Sequence, residues 1–149
     1  MPITSQYQIL HFNTETHSAV EGTDGQWLEV ADRDQLDSAI DTVKQLVPAN
    51  GTNLEQVFET VRSMDPLPDN IFLITDGLPT LSNSGSNRTL VTPSERAELF
   101  EDAVERLPRG IPVNVILLPL EGDPSASAAY WLLAQNTRGS FLTPSKDWP

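Results

Sequence analysis

Short apolar runs near the beginning of the chain predict two strands. Residues 7–12 (YQILHF) are rich in residue types that favour extended structure, and the polar stretch NTETH that follows them predicts a loop. Residues 26–30 (QWLEV) come after the turn-forming stretch EGTDG and predict a second short strand. We expect this second strand to be the hairpin partner of the first.

Two amphipathic helices are predicted next. Between residues 32 and 47, apolar residues recur at spacings of three and four, which is the repeat of a helix with one apolar face, and Pro48 ends it. The apolar positions of this face are Leu36, Ala39, Ile40, Val43 and Val47. The same spacing returns over residues 53–64, and the proline-containing stretch DPLPDN ends the second helix.

In the second half of the chain, apolar runs alternate with helical stripes. Residues 71–74 (IFLI) lead into the sequence TDG, and residues 113–118 form a similar run. Strands that are apolar on both faces are typical of parallel sheets with helices on both sides. Helices are predicted after Ser94, as an N-cap, and before Gly139, with a last short strand in SFLTPS. This order predicts one α/β domain spanning residues 1–149.

Composition excludes several classes of partner. The chain has 21 acidic side chains against 9 Lys and Arg, and its formal net charge is -12, so we expect no nucleic-acid partner. It has no cysteine, which excludes disulfides and thiolate metal sites. No apolar run approaches the ~18 residues of a membrane span, and the first residues lack the basic and apolar regions of a signal peptide. A soluble chain without direct membrane insertion is therefore expected.

Candidate chemistry lies where ligands bind in open α/β sheets, beyond the carboxyl ends of the strands. Asp76 follows the apolar run 71–74, and Thr52 lies in the loop that leads into the second helix. A carboxylate and a hydroxyl are oxygen ligands of the kind that Mg²⁺ prefers. Alternatively, Asp76 caps the turn DGLP and Thr52 caps its helix, which are common structural roles for these residue types.

Two of these stretches, taken together, resemble a known family. GTNLEQVF, followed later by IFLITDGLPT, is similar to the von Willebrand factor type A (VWA) domain, which has a Gly-Thr loop before a helix and then an apolar strand ending in Thr-Asp-Gly. QILHFN before these motifs, and IPVNVILL and YWLLAQNTRGSFL after them, extend the resemblance over nearly the whole chain. The resemblance implies a Rossmann-like, mostly parallel sheet with helices on both faces and a metal-ion-dependent adhesion site at its upper rim.

The resemblance assigns roles to two residues of this chain. Thr52 takes the position of the second-loop threonine, which binds the metal directly or through water. Asp76 takes the position of the third-loop aspartate, which usually holds a metal-bound water. A carboxylate from a protein partner completes the metal's ligands, so the implied function is protein binding and not catalysis. The family's first loop carries Asp-x-Ser-x-Ser and supplies most direct ligands, and this chain lacks it. We therefore expect Mg²⁺, or another divalent cation, to bind weakly or not at all to this chain alone.

The chain is also expected to be truncated at its N-terminus relative to that family. Met1 falls at the link between the family's first helix and second strand, so the first strand, the metal loop and the first helix are missing. The family's strand order places the missing strand between residues 7–12 and residues 71–74. Three outcomes are expected: these strands pair directly in a five-stranded sheet, a second copy or another protein donates a strand, or the chain aggregates through its open edges.

Two other functions compete with the binding module. One is a structural remnant, in which the fold persists without metal or activity. The other is a receiver-like enzyme with Asp76 as phosphoacceptor, but LHFN carries no acid pair and VILLPL no lysine, both of which that fold needs. His11 is expected to be packed on its strand and His17 to be solvated in a loop. Bacterial relatives of the resembled family are often anchored by segments outside the domain, so cellular location stays open.

Overall fold

The computed structural model describes residues 5–47, 51–83, 91–118 and 123–144 of the chain. The strands in these ranges are β1 (Gln6–Tyr7), β2 (Leu10–Phe12), β3 (Thr16–Ser18), β4 (Leu28–Glu29), β5 (Ile71–Thr75), β6 (Val113–Leu117) and β7 (Phe141–Leu142). The helices are α1 (Arg33–Gln45), α2 (Leu54–Arg62), α3 (Pro93–Arg106) and α4 (Ala126–Thr137). The alternation of strands and helices in the second half confirms the predicted α/β class. None of the helices described is both long and apolar enough to cross a bilayer.

The main sheet consists of three parallel strands in the order β5, β6, β7. β5 and β6 pair along their full length, from Ile71 opposite Val113 to Thr75 opposite Leu117. Parallel strands need a long crossover connection, and α3 and α4 supply the two connections here. The carboxyl ends of β5 and β6 therefore lie side by side, with Asp76 directly after β5.

One face of this sheet is buried. Leu73, Val113, Val115 and Leu117 are at most 4% exposed, and they alternate along their strands because successive side chains point to opposite faces. These side chains pack in one cluster with apolar residues of three helices. The helical members are Leu54, Val57, Phe58, Phe100, Ala103, Ala126, Tyr130, Leu133 and Ala134. The core of the domain therefore lies between this face and α2, α3 and α4.

The opposite face of the sheet is open. Phe72 and Ile74 of β5 are 67% and 58% exposed, Leu142 of β7 is 40% exposed, and Ile116 between them is only partly buried. The prediction that helices cover both faces is therefore wrong for the described residues. An apolar run indicates that a strand is suited to burial on both faces. It does not determine whether helices of the same chain cover the second face.

The first predicted strand is divided in two. β1 pairs antiparallel with β4, so the predicted hairpin partner is confirmed, but β2 pairs with β3, which lies in the stretch predicted to be a loop. Side-chain amides explain both departures. Gln8 Nε2 donates to the backbone oxygens of Thr23 and Gln26, each at 2.8 Å, and this interrupts the strand. Asn13 Oδ1 accepts from the Glu15 N–H at 3.0 Å and forms the tight turn between β2 and β3.

β2 does not pair with β5. In the part of the chain that the structure describes, β1–β4 and β2–β3 are separate two-stranded sheets, and β5 is an edge strand of the three-stranded sheet. The five-stranded sheet expected from direct pairing of residues 7–12 with residues 71–74 is thus wrong. The Asn53 N–H instead donates to the Asn13 oxygen at 2.8 Å, which attaches the β2–β3 hairpin to the beginning of α2.

The predicted apolar face of α1 is largely exposed. Ala39 is fully buried and Leu36 partly buried, but Ile40, Val43 and Val47 are 39%, 44% and 81% exposed. The helix itself is confirmed. Helical spacing therefore predicts the secondary structure here correctly, but most of the apolar stripe is not buried by the described residues.

α3 begins before the predicted N-cap, Ser94. Thr92 is the N-cap, since its hydroxyl accepts from the Glu95 N–H while the Glu95 carboxylate accepts from the Thr92 N–H. Pro93 occupies the first helical position, where its fixed φ angle and missing N–H suit a helix start.

α4 ends at Thr137, and Gly139 terminates it as predicted. The Gly139 N–H donates to the Ala134 oxygen at 2.8 Å, and Arg138 before it adopts a left-handed conformation with φ of 62°. A Cβ atom on Gly139 would collide with the backbone oxygen of Val113. Glycine is therefore needed here because the chain passes directly against β6.

Candidate functional site

Asp76 is exposed at the carboxyl end of β5 and is followed by a buried turn, residues 77–79. The Gly77 oxygen accepts hydrogen bonds from the Tyr130 hydroxyl at 2.9 Å and from the Thr75 hydroxyl at 3.2 Å. Burial raises the pKa of Tyr130, so its hydroxyl keeps its proton and remains the donor at neutral pH. The buried turn thereby holds the Asp76 carboxylate at the surface.

A buried ion pair fastens the same turn. Asp123 Oδ2 accepts from the Leu78 N–H at 2.7 Å and lies 2.8 Å from Arg96 Nη2. Arg96 Nη2 also donates to the Leu78 oxygen, so the pair engages both backbone groups of Leu78. The Arg96 and Asp123 side chains are 17% and 4% exposed. A Cβ on Gly77 would come within 2.8 Å of Asp123 Oδ2, so glycine leaves the room that the pair requires.

Sequence reasoning missed Arg96 and Asp123. One signal was available, because a cation in the first turn of a helix opposes the helix dipole unless an anion pairs with it, and Arg96 lies in the first turn of α3. Asp123 precedes a proline and α4, which suggests a cap more than an ion pair. Nothing in either local sequence indicates that the two segments meet at Leu78.

The loop that carries Thr52 is joined to the segment after Asp76 by backbone hydrogen bonds. The Thr52 oxygen accepts from the N–H groups of Thr80 and Leu81 at 2.9 and 3.1 Å, and the Thr52 N–H donates to the Thr80 hydroxyl at 2.9 Å. A Cβ on Gly51 would lie 2.5 Å from the Leu81 side chain. The two loops that the sequence singled out therefore belong to one rim.

Side chains of α2 and α3 hold the far end of this rim. The buried Glu55 carboxylate accepts from the Asn83 N–H at 3.0 Å and from Arg106 Nε at 3.1 Å. Asn83 Nδ2 also donates to the Glu59 carboxylate at 2.7 Å. Asn53 Nδ2 donates to Asn83 Oδ1 at 2.9 Å, which links the start of α2 to the same network. Loop and helices are thus held together by charge-assisted hydrogen bonds.

The described residues do not show the structural roles considered for Thr52 and Asp76, in which Thr52 caps α2 and Asp76 caps the turn that follows it. Asn53, and not Thr52, caps α2, because its side chain accepts from the Gln56 N–H at 3.1 Å. No hydrogen bond or ion pair to another described residue engages the Thr52 hydroxyl or the Asp76 carboxylate. Both oxygen groups are therefore available to a ligand.

Thr52 and Asp76 bring a hydroxyl and a carboxylate to this rim. One carboxylate and one hydroxyl are the oxygen donors that Mg²⁺ takes, and Mg²⁺ commonly keeps several of its waters. In the described ranges, no three Asp, Glu or His side chains form a group that suits a metal ion. Asp76 and Thr52 would therefore share the ion with water molecules or with ligands from a partner.

The two histidines were predicted to lie in different environments, but they face each other across the β2–β3 hairpin. His11 lies opposite His17, their ring centres are 5.7 Å apart, and His17 Nε2 is 3.3 Å from the Glu15 carboxylate. The pKa of His11 is lowered, mainly because the ring is partly buried and secondly because His17 lies beside it. His11 is partly buried on its strand and His17 is exposed, as expected, but His17 lies in β3 and not in a loop.

Comparisons with known proteins add no family assignment. A scan against protein-family models found no match, and a search of curated proteins found no significantly similar sequence. Function is therefore inferred from the sequence motifs and from the geometry of the rim.

Proposed function

We propose that this chain is a non-enzymatic protein-binding module of VWA type, with a Rossmann-like fold. Thr52 and Asp76 form part of a metal-ion-dependent adhesion site. A divalent cation, in the first place Mg²⁺, is held there by the Asp76 carboxylate, the Thr52 hydroxyl and water. A carboxylate from a protein partner occupies a remaining position on the ion.

The observation that carries this proposal is the junction of the two loops. Hydrogen bonds between Thr52 and Thr80 bring the second-loop threonine beside the segment that follows the third-loop aspartate. Neither oxygen group serves as a structural cap among the described residues: Asn53 caps α2 in place of Thr52, and no described residue donates a hydrogen bond to the Asp76 carboxylate. The buried turn that follows Asp76 holds the backbone beside this exposed acid, which limits the positions that its carboxylate can reach.

The module binds the cation weakly without its partner. Asp76 supplies one negative charge, and the resembled family takes most of its direct ligands from a loop that this sequence lacks. Each ligand that a partner adds strengthens the hold on the ion, so cation and partner are expected to bind together more tightly than either binds alone.

Paramagnetic line broadening by Mn²⁺, which stands in for Mg²⁺, tests where the cation binds. In ¹H–¹⁵N spectra, the amide signals of residues 51–53 and 76–78 should broaden first as Mn²⁺ is added, and excess Mg²⁺ should reverse the effect. Asp76→Ala should abolish this selective broadening. Asp69→Ala is the matched control, since Asp69 is also exposed and close to β5 but lies at its other end.

A structural remnant without metal binding is the competing interpretation, and the same spectra separate the two. Broadening spread over the acidic surface, and unchanged by Asp76→Ala, would show that Mn²⁺ binds the net charge of the chain and not a site. That outcome would favour the remnant.

A further inference from the structure

The outer edge of β5 carries hydrogen-bonding groups that the sheet does not use. The Ile71 N–H donates to the Pro112 oxygen at 3.0 Å, and β5 pairs with β6 in continuous register, so Ile71 and every second residue after it bond to β6. Backbone groups alternate in direction along a strand, so those of Phe72 and Ile74 point away from β6. No other strand in the described ranges runs along that edge. The N–H and C=O groups of both residues are therefore placed to pair with an added strand.

The side chains of Phe72 and Ile74 add an exposed apolar surface beside this edge. Phe72 and Ile74 are 67% and 58% exposed and stand on the open face of the sheet. Proteins usually protect an edge strand with a charge, a proline or a bulge, because an unprotected edge is a template for pairing. The five residues of β5 are IFLIT and include no charged residue and no proline, and the pairing with β6 contains no bulge.

Charge decides which kind of strand suits the edge. Asp69 comes shortly before β5 and Asp76 directly after it, and both are exposed. A strand with basic residues near its ends would face an opposite charge at either end of β5. Pairing with the same edge of a second copy would instead bring acidic ends together, on chains that each carry a formal net charge of -12.

We infer that the edge formed by Phe72 and Ile74 binds an extended segment of a partner protein by β-strand addition. The segment is apolar at alternate positions, so that it covers Phe72 and Ile74 on the open face, and it carries Lys or Arg near its ends. Main-chain hydrogen bonds to the two free residues supply affinity, and the apolar and basic positions supply selectivity. This contact needs no cation and shares only Asp76 with the proposed adhesion site, so it is a second interaction surface that adjoins that site.

A peptide with the sequence Lys-Val-Thr-Val-Thr-Val-Lys, added to the full chain, tests this inference by amide hydrogen exchange. At saturating peptide, exchange of the Phe72 and Ile74 amides should slow by at least about tenfold. The Leu73 amide serves as an internal control, because it already bonds to β6. The effect should persist in EDTA and in the Thr52→Ala variant, which separates it from the adhesion site.

N-methylated peptides provide matched controls with the protein unchanged. Methyl groups on one edge of the peptide strand should abolish binding, and the same number of methyl groups shifted by one residue, to the other edge, should leave it intact. Replacing the terminal Lys residues by Glu should weaken binding, more so at low salt. The double variant Phe72→Thr/Ile74→Thr keeps strand-forming residues but removes the apolar contact, and should bind less tightly.

Three results would overturn the inference. In the first, the Phe72 and Ile74 amides keep their exchange rates at millimolar peptide. In the second, peptides methylated on either edge bind equally well. In the third, the two amides become protected in the chain alone as its concentration rises, which would make a second copy the occupant of the edge.

Discussion

Replacing Asp123 by alanine is expected to destabilise the fold strongly, because it leaves the Arg96 guanidinium buried without its counter-charge. The Arg96 side chain is 17% exposed, and its Nε has no hydrogen-bond partner among the described residues. Removing one partner of a buried ion pair costs about 3–5 kcal/mol. The Leu78 N–H also loses its acceptor, and a buried N–H group without an acceptor costs about 1–3 kcal/mol. Because the same Asp123 oxygen contacts Leu78 and Arg96, part of this cost is already included in the cost of breaking the ion pair.

We therefore expect the free energy of unfolding to fall by about 4 kcal/mol in Asp123→Ala. This is a large part of the roughly 5–15 kcal/mol that a typical domain has in total. Urea denaturation followed by circular dichroism measures the change, with an unchanged slope as evidence that the unfolding reaction is the same. Asp69→Ala, which removes an exposed carboxylate, should change stability by at most about 0.5 kcal/mol.

The double variant Arg96→Met/Asp123→Ala isolates the cause. It removes the buried charge together with its partner and keeps an apolar chain of comparable length, so it should be more stable than Asp123→Ala alone. Two results would refute the reasoning: a loss of less than about 1 kcal/mol in Asp123→Ala, or a double variant that is no more stable than the single one.

Three further predictions concern other parts of the fold. Gly139→Ala should cost more than about 2 kcal/mol in urea denaturation, because the new Cβ would collide with the Val113 oxygen, and a smaller loss would show that the chain can move away from β6. Asn53→Ala should cost about 1–2 kcal/mol through loss of the α2 cap and of the hydrogen bond to Asn83, whereas Asn53→Asp, which keeps the cap but not the donor to Asn83, should lose less. Because burial and His17 lower the pKa of His11, the folded state takes up this proton less readily, so stability should fall as pH drops below about 6.5. An NMR titration of folded protein that gives His11 a pKa above 6.5 would contradict this.

Local sequence predicted those elements whose determinants are close together in the chain. The spacing of apolar residues predicted α1 and α2, and the two apolar runs predicted β5 and β6, because strand and helix repeats are properties of neighbouring residues. The position of Asp76 at a strand end followed from the same pattern. Gly139 was predicted to end α4 because glycine is the usual residue at that point.

Features that depend on distant parts of the chain could not be predicted in this way. The ion pair between Arg96 and Asp123 forms only once α3 and the start of α4 meet at Leu78. The open face at Phe72 and Ile74 could not be foreseen, because their apolarity is the same with or without a covering layer. The division of the first strand arises from single amide side chains that compete with strand pairing.

Whether a cation at Thr52 and Asp76 binds a partner carboxylate can be decided by measuring how Mg²⁺ and a carboxylate ligand affect each other's binding. An aspartate-containing peptide can be titrated into the chain with and without Mg²⁺, and the same pair of titrations repeated with Asp76→Ala and Asp69→Ala. We expect Mg²⁺ to raise peptide affinity by roughly 5- to 150-fold in the wild type and in Asp69→Ala, and to have no effect in Asp76→Ala. Peptide affinity that is independent of Mg²⁺ in the wild type, or that responds to Mg²⁺ equally in Asp76→Ala, would contradict it.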